Sequence, residues 1–190
     1  MERRDAGARK TMTIDAGGGF ELRHVTLSDA PELYAAIDRN RARLRQWLPW
    51  IHLSYGLEDL TGFLKERIKE NAVRTSLTTC IWAGDDLCGA IGLHLIDARN
   101  KNSSIGYWLD AAYEGRGIMT RACRAMTTEA FRHYGLHRIE IRCATGNAKS
   151  AAIPQRLKFT EEGILRQAEW LYDHWVDLRV FSVLEQDWEA

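Results

Sequence analysis

Tyr107-Trp108-Leu109-Asp110-Ala111-Ala112-Tyr113-Glu114-Gly115-Arg116-Gly117-Ile118-Met119-Thr120 decides the fold. It reads as the end of a strand, a loop, a pair of glycines one residue apart, and the start of a helix. Two such glycines let the backbone turn tightly and remove side chains that would block a ligand. The helix that follows aims unpaired N–H groups and the positive end of its dipole at the opening. That is an anion site, and a pyrophosphate fits it. Arg116 could add charge toward phosphates. A glycine-rich connector with no ligand is the plainer alternative. The spacing is neither G-x-G-x-x-G nor G-x-x-x-x-G-K-[ST], so a Rossmann dinucleotide site and an ATP P-loop are both disfavoured.

Working outward, the strand closes a run of three. Thr78 to Ala83, Leu87 to Ile96 and Ser103 to Leu109 alternate apolar and polar residues, with a turn at Gly84-Asp85-Asp86. The helix is predicted from Gly115 to Tyr134, with Met119, Cys123, Met126, Ala130 and Tyr134 as its stripe. A strand around Ile139, Ile141 and Cys143 follows, then a short helix from about Asn147. Two strands, about Phe159 to Leu171 and His174 to Leu184, turn at Tyr172-Asp173. Upstream, Phe20 to Val25 reads as a strand and Ser28 as the cap of a helix carrying Leu33, Ile37 and Leu44. Trp47-Leu48-Pro49-Trp50 breaks that helix. A second helix is predicted over Leu57 to Thr75, with Leu60, Phe63, Leu64 and Ile68 on one side. The element order is β-α-α-β-β-β-α-β-α-β-β, an α/β (α+β) chain with a mostly antiparallel sheet. Gly17-Gly18-Gly19 reads as a joint. Residues 1–19 are expected to be a disordered arm, and 20–188 a single domain.

The bulk numbers bound the function. The chain has 190 residues, 26 Lys plus Arg and 26 Asp plus Glu, so the net charge is zero. A non-specific nucleic-acid binder needs a basic face, which argues against that class. No apolar run approaches the ~20 residues of a membrane span. The polar first eleven residues, with Arg3, Arg4, Arg9 and Lys10, are not a secretory signal. A cytoplasmic location is the expectation. Cys80, Cys88, Cys123 and Cys143 form no C-x-x-C pair and no His pair has zinc spacing, so they read as reduced core thiols and no metal is expected.

Ile105-Gly106-Tyr107-Trp108-Leu109 followed by Glu114-Gly115-Arg116-Gly117-Ile118-Met119-Thr120 resembles the cofactor motif of the GNAT acetyltransferases, most of all the RimJ/RimL branch that acetylates ribosomal-protein N-termini. The resemblance runs from about Phe20 to Trp188. It implies a GNAT acyl-CoA N-acyltransferase fold with its sheet splayed at the cofactor site, and acetyl-CoA as co-substrate. Glu114 and Met119 stand where the general pattern has Gln or Arg and Gly or Ala. Backbone N–H groups from Gly115, Arg116, Gly117, Ile118, Met119 and Thr120 would hold the pyrophosphate. The strand at Trp108 and Leu109 would pair with the pantetheine arm and lend an N–H to the oxyanion.

Asn147-Ala148-Lys149-Ser150 with Lys158-Phe159 resembles the family's second signature, Lys158 replacing a usual Gly. If that position demands φ > 0, Lys is the costlier residue. Asn147 reads both as an N-cap and, by resemblance, as a pantetheine contact. Pro154 has no N–H, so the carbonyl of Ser150, four residues earlier, loses its helical partner. A kink or a water is expected there. By resemblance Ser150 protonates the departing thiolate, and Glu169, in Gln167-Ala168-Glu169, is the general base. An amine near pKa 8 must lose a proton, so some base is required. Asp173 and His174 are the rival bases, and a covalent route through Cys143 is a mechanistic rival with no local His to activate it.

Trp47, Trp50 and Tyr55 cluster between the first two helices. Trp170, Tyr172, His174 and Trp175 cluster at the last hairpin. Trp47, Trp50, Tyr172 and His174 are the candidate acceptor residues, unless some are core anchors. The leading expectation is acetyl transfer to a primary amine by direct attack, the acceptor being a protein N-terminus. A small amine or antibiotic as acceptor, a module that binds acyl-CoA without turnover, and a ligand-free scaffold are the alternatives. A homodimer is expected from the resemblance alone.

Overall fold

Among the described residues, eight strands form one sheet in the order β1-β2-β3-β4-β5-β6-β8-β7. They are β1 (Thr13–Gly17), β2 (Phe20–His24), β3 (Leu77–Ala83), β4 (Asp86–Asp97), β5 (Asn102–Leu109), β6 (Arg138–Ala144), β7 (Thr160–Leu171) and β8 (His174–Leu184). The helices are α1 (Ala30–Arg39), α2 (Arg41–Leu44), α3 (Leu57–Val73), α4 (Ile118–Arg132) and α5 (Ala148–Arg156). This computed structural model describes residues 12–189.

Every strand pairing is antiparallel except β5 with β6. That parallel pairing is short. Only Asn102, Ser103 and Ser104 of β5 face Arg138, Ile139 and Glu140 of β6. Beyond Ser104 the strands part, while β6 stays paired with β8 to Ala144. The sheet is therefore split down its middle at one end.

Helices cover both faces. Leu33, Ile37, Leu44, Leu60 and Leu64 pack with Cys80 and Trp82 on one face. Met119, Cys123, Met126 and Ala130 of α4 pack with Ile81, Ile105, Ile139, Ile141 and Phe181 on the other. Spacings of three and four place the α4 residues on one stripe. Burying a side chain the size of Met or Ile contributes roughly 1.5–3 kcal/mol. A charged residue at the fully buried Met126 would break the α4 contact.

Several expectations are corrected. The domain begins before the glycine triplet: Thr13–Gly17 is a strand hydrogen-bonded to β2, and its Ile14 and Ala16 pack on the core that contains α4. Gly17, Gly18 and Gly19, all at positive φ, make the hairpin turn rather than a loose joint. Of the arm expected over residues 1–19, residues 1–11 lie outside the described residues. Ser28 does not cap α1. A single 3-10 turn, Leu27–Asp29, precedes it, and Asp29 accepts the Thr26 N–H at 2.7 Å. Phe63 is exposed, with the Arg67 guanidinium 5.2 Å from its ring. Helix α4 starts at Ile118 and not at Gly115, because Gly115 and Gly117 adopt φ of 77° and 72°, which no helix contains.

Candidate active site

The parted ends of β5 and β6 frame the site, and α4 and α5 both begin there. The β4–β5 ladder fixes which backbone groups face the gap. Asp110 donates its N–H to Cys88 across to β4 at 2.8 Å. Pairing alternates along an antiparallel strand, so Trp108 and Gly106 also turn their polar groups to β4. Ile105, Tyr107 and Leu109 turn theirs to the gap. Of the two residues named from sequence, Leu109 therefore presents an N–H to the opening. Trp108 does not: its backbone serves β4, and its side chain packs on the α1–α3 face.

The glycine turn leaves room for a ligand. Gly115 and Gly117 are left-handed, and a Cβ added at either would meet nothing within 4 Å. Among the described residues no side chain caps α4, so its first N–H groups are left for a ligand. Ile118 and Met119 bury their side chains and offer the site only backbone. Thr120 carries a hydroxyl 3.4 Å from Arg156. Arg116 turns back on the preceding residues, donating to the Ala112 carbonyl at 3.0 Å, and its side chain is exposed.

The loop before the turn is clamped from α1 and α2. Asp110, almost fully buried, accepts from Arg39 at 2.5 Å and from the Ala112 N–H at 3.0 Å. Asn40 accepts the Ala111 N–H at 3.0 Å. Glu114 bridges Arg43 at 2.7 Å and Lys149 of α5 at 2.6 Å. Arg43 also donates to the Leu109 carbonyl. The sequence reading missed this clamp. Its signal was the alternation Arg39, Arg41, Arg43, Arg45, which no helix can place on one face, so each arginine has its own partner.

On α5, Asn147 is the N-cap, its Oδ1 accepting the Ser150 N–H at 3.1 Å. The Ser150 carbonyl, which Pro154 deprives of its helical partner, has a side-chain donor instead. The Tyr107 hydroxyl donates to it at 3.0 Å, and Ser150 Oγ lies 3.2 Å from the same hydroxyl. Cys143 is buried close by. Burial raises its thiol pKa, with a smaller opposing effect from a Ser150 hydrogen bond, so it is a poor nucleophile.

Glu169 reaches the same end of the sheet from β7. Ala144, the last residue of β6, pairs with Leu178, and Glu169 pairs with Val176 two residues further along β8. The β7–β8 register breaks between Leu165 and Glu169. Gln167 sits there at φ 49° with its N–H on the Asp177 carboxylate at 2.8 Å. Such a bulge re-aims the side chains beside it. Glu169 is half-buried, and burial raises its carboxyl above the ordinary range.

The residues expected to line the acceptor side join two distant segments. The Tyr172 hydroxyl shares its one proton between the carbonyls of Leu48 and Ile51, the latter at 2.9 Å. Arg45 stacks 3.7 Å from the Tyr172 ring centre. Arg41 holds the carbonyls of His52 and Tyr55, both at 2.8 Å. Trp47 lies over Gly146, where an added Cβ would sit 3.5 Å from its ring. Tyr172 and Trp47 thus tie residues 47–51 to the last hairpin and to Gly146 beyond the end of β6. Trp50 is partly exposed against Tyr55 at 5.6 Å. His174 is exposed, 2.7 Å from Asp173 at the hairpin tip, away from the register of Glu169.

An uncapped helix behind two left-handed glycines, entered through a split sheet, is the site of an acyl-CoA-dependent acyltransferase. Residues 20–160 match the family model of the acetyltransferase (GNAT) domain. The chain belongs to that family. It is 35% identical over 177 residues to YdaF of Bacillus subtilis (strain 168), itself provisionally named a ribosomal N-acetyltransferase, covering 88% of this chain and 94% of that one. It is 30% identical over 172 residues to the ribosomal-protein-serine acetyltransferase of Escherichia coli (strain K12), covering 90% and 96%. Among solved structures it resembles RimL, a ribosomal L7/L12 α-N-protein acetyltransferase in complex with coenzyme A, at TM-score 0.88 and 28% identity over 91% of this chain and 98% of that chain. It also resembles the microcin C7 self-immunity acetyltransferase MccE in complex with acetyl-CoA and AMP, at TM-score 0.84 and 29% identity over 89% and 94%. The protein is an N-acetyltransferase, and acetyl-CoA is its co-substrate.

Proposed function

We propose that the acceptor is the N-terminal α-amine of a ribosomal protein, and that transfer is by direct attack. The observation that carries the reading of direct attack is the half-buried Glu169, its pKa raised by burial, on β7 at the end of the sheet where β5 and β6 have parted. A carboxylate with a raised pKa is a better proton acceptor, and so a better base for an amine. The amine nitrogen bonds to the thioester carbonyl carbon as its proton passes to Glu169. The N–H of Leu109 is the donor to the developing oxyanion. The C–S bond then breaks, and Ser150 Oγ–H donates to the departing sulfur. Gly115 to Thr120 and Asn147 hold the phosphates and the pantetheine arm.

The ribosomal acceptor is supported by the names of the relatives with similarity over nearly the whole chain. It implies a cytoplasmic site of action. A homodimer is supported by β7, an edge strand with exposed Ile164 and Leu165. Light scattering at the mass of two chains is the expected result.

The test follows thiol release from acetyl-CoA with synthetic peptides carrying ribosomal-protein N-terminal sequences, the same peptides with blocked α-amines, and a panel of small amines. Release that requires the free α-amine is expected. Turnover confined to small amines would overturn the acceptor. Hydrolysis with no dependence on any amine would overturn the enzyme mechanism.

A further inference from the structure

A serine inside a helix ordinarily donates its hydroxyl back to the carbonyl three or four residues earlier. Ser150 does not. Its Oγ is 3.2 Å from the Tyr107 hydroxyl, which in turn donates to the Ser150 carbonyl at 3.0 Å. Tyr107 stands on β5, on the face that packs with α4 and α5, and its backbone faces the gap. Its ring thus spans from the parted strand to the first turn of α5. The contact is uncontested because Pro154 supplies no N–H. With an ordinary residue there, a helix N–H would compete with the tyrosine hydroxyl for the Ser150 carbonyl. Burial keeps the phenol protonated and able to donate.

We propose that Tyr107 is a positioning residue for the reaction: donating to the Ser150 carbonyl and accepting from the Ser150 hydroxyl in the resting site, it holds Oγ away from its own helix, from where the O–H turns to the leaving sulfur. Pro154 is the second half of the device, since it frees the carbonyl that anchors the grip. The proposal rests on the reading of Ser150 as the donor to the departing thiolate. Without the tyrosine hydroxyl, Ser150 has two other places to go: the helix carbonyls behind it and the Cys143 sulfur that it already approaches.

The test is a set of kinetic comparisons on the full chain, with acetyl-CoA and whichever peptide or amine the wild type turns over. Tyr107→Phe removes one oxygen. It should lower kcat about tenfold, as small misplacements at a reacting centre do, and leave the KM for acetyl-CoA within about twofold. Ser150→Ala should lower kcat further, and Tyr107→Phe added to it should have no additional effect. Tyr107→Phe combined with Pro154→Ala supplies the missing N–H to the Ser150 carbonyl. That pair should recover melting temperature without recovering kcat. Equal losses from Tyr107→Phe in the wild-type and Ser150→Ala backgrounds would overturn the proposal, as would recovery of kcat along with stability in the Pro154→Ala pair. An impaired Ser150→Ala beside an unimpaired Tyr107→Phe would sink the tyrosine's role alone. Full kcat in Ser150→Ala would remove the serine reading and the proposal with it.

Discussion

In the proposed site the pyrophosphate side is made of backbone, and the acceptor side is made of side chains. On the first side, Gly115 and Gly117 bend left-handed before an uncapped helix, and Leu109 turns an N–H to the gap. All of this lies within ten residues of chain. On the second side, Tyr172 reaches Leu48 and Ile51 across more than a hundred residues, and Arg45 stacks on its ring. Backbone amides bind any diphosphate alike, so that side can serve one common co-substrate. Side chains drawn from separate loops can be exchanged without disturbing the sheet, so that side can set which amine is accepted.

This division can be broken by mutation. The largest effect should come from Glu169→Gln, which keeps the shape and removes the base. A fall in kcat of roughly 10²–10⁴ is expected, with acetyl-CoA affinity nearly unchanged. Glu169 accepts a proton only when ionised, so wild-type kcat/KM should fall as pH drops through a pKa above the ordinary carboxylate range, where burial places it. That inflection should vanish in the variant. A profile unchanged by the substitution would transfer the base role elsewhere.

Next is Tyr172→Phe, which deletes the donor to both loop carbonyls. If the acceptor wall is independent of the phosphate side, KM for the acceptor should rise about tenfold, the equivalent of ~1.4 kcal/mol, while KM for acetyl-CoA stays within about twofold. Equal changes in both constants would show that the two sides are one unit.

The smallest effect belongs to a position outside both. Lys158 sits at φ 60°, the left-handed conformation in which a side chain costs roughly 1–2 kcal/mol. Its ammonium is 3.7 Å from Glu189, both strongly exposed, a contact of little weight. Lys158→Gly should therefore raise the melting temperature and leave both KM values alone. Thermal unfolding measures this directly, and a lower melting temperature would contradict it.

The same contrast explains what could be read from sequence. The strands, the α4 stripe and the Gly115–Gly117 turn declare themselves because periodicity and glycine chemistry are local. Lys158 was legible as a conditional: its strain follows from a motif position whose φ the structure supplies. The clamp of Arg39, Asn40 and Arg43 on the loop from Leu109 to Glu114 was not legible, since nothing at one end names the other. Trp108 was assigned to the opening because sequence does not fix which residues of β5 hydrogen-bond to β4. Thr13–Gly17 was lost to a glycine triplet that reads equally as a tether or a hairpin. Tyr107 lay inside the quoted motif, but its partner, the carbonyl stranded by Pro154, becomes visible only once β5 and α5 are side by side.

The claim that the α4 N-terminus is the coenzyme site is tested most directly by following melting temperature against acetyl-CoA concentration in wild type and in Gly117→Val. The valine fills space that is open over Gly117 and strains a φ of 72°, so the comparison is of ligand-induced shifts and not of melting temperatures themselves. At a hundredfold excess over Kd the ligand should stabilise the wild type by about 2.7 kcal/mol, and the variant's shift should be lost or sharply reduced. Equal shifts in both proteins would put the coenzyme elsewhere and contradict the account.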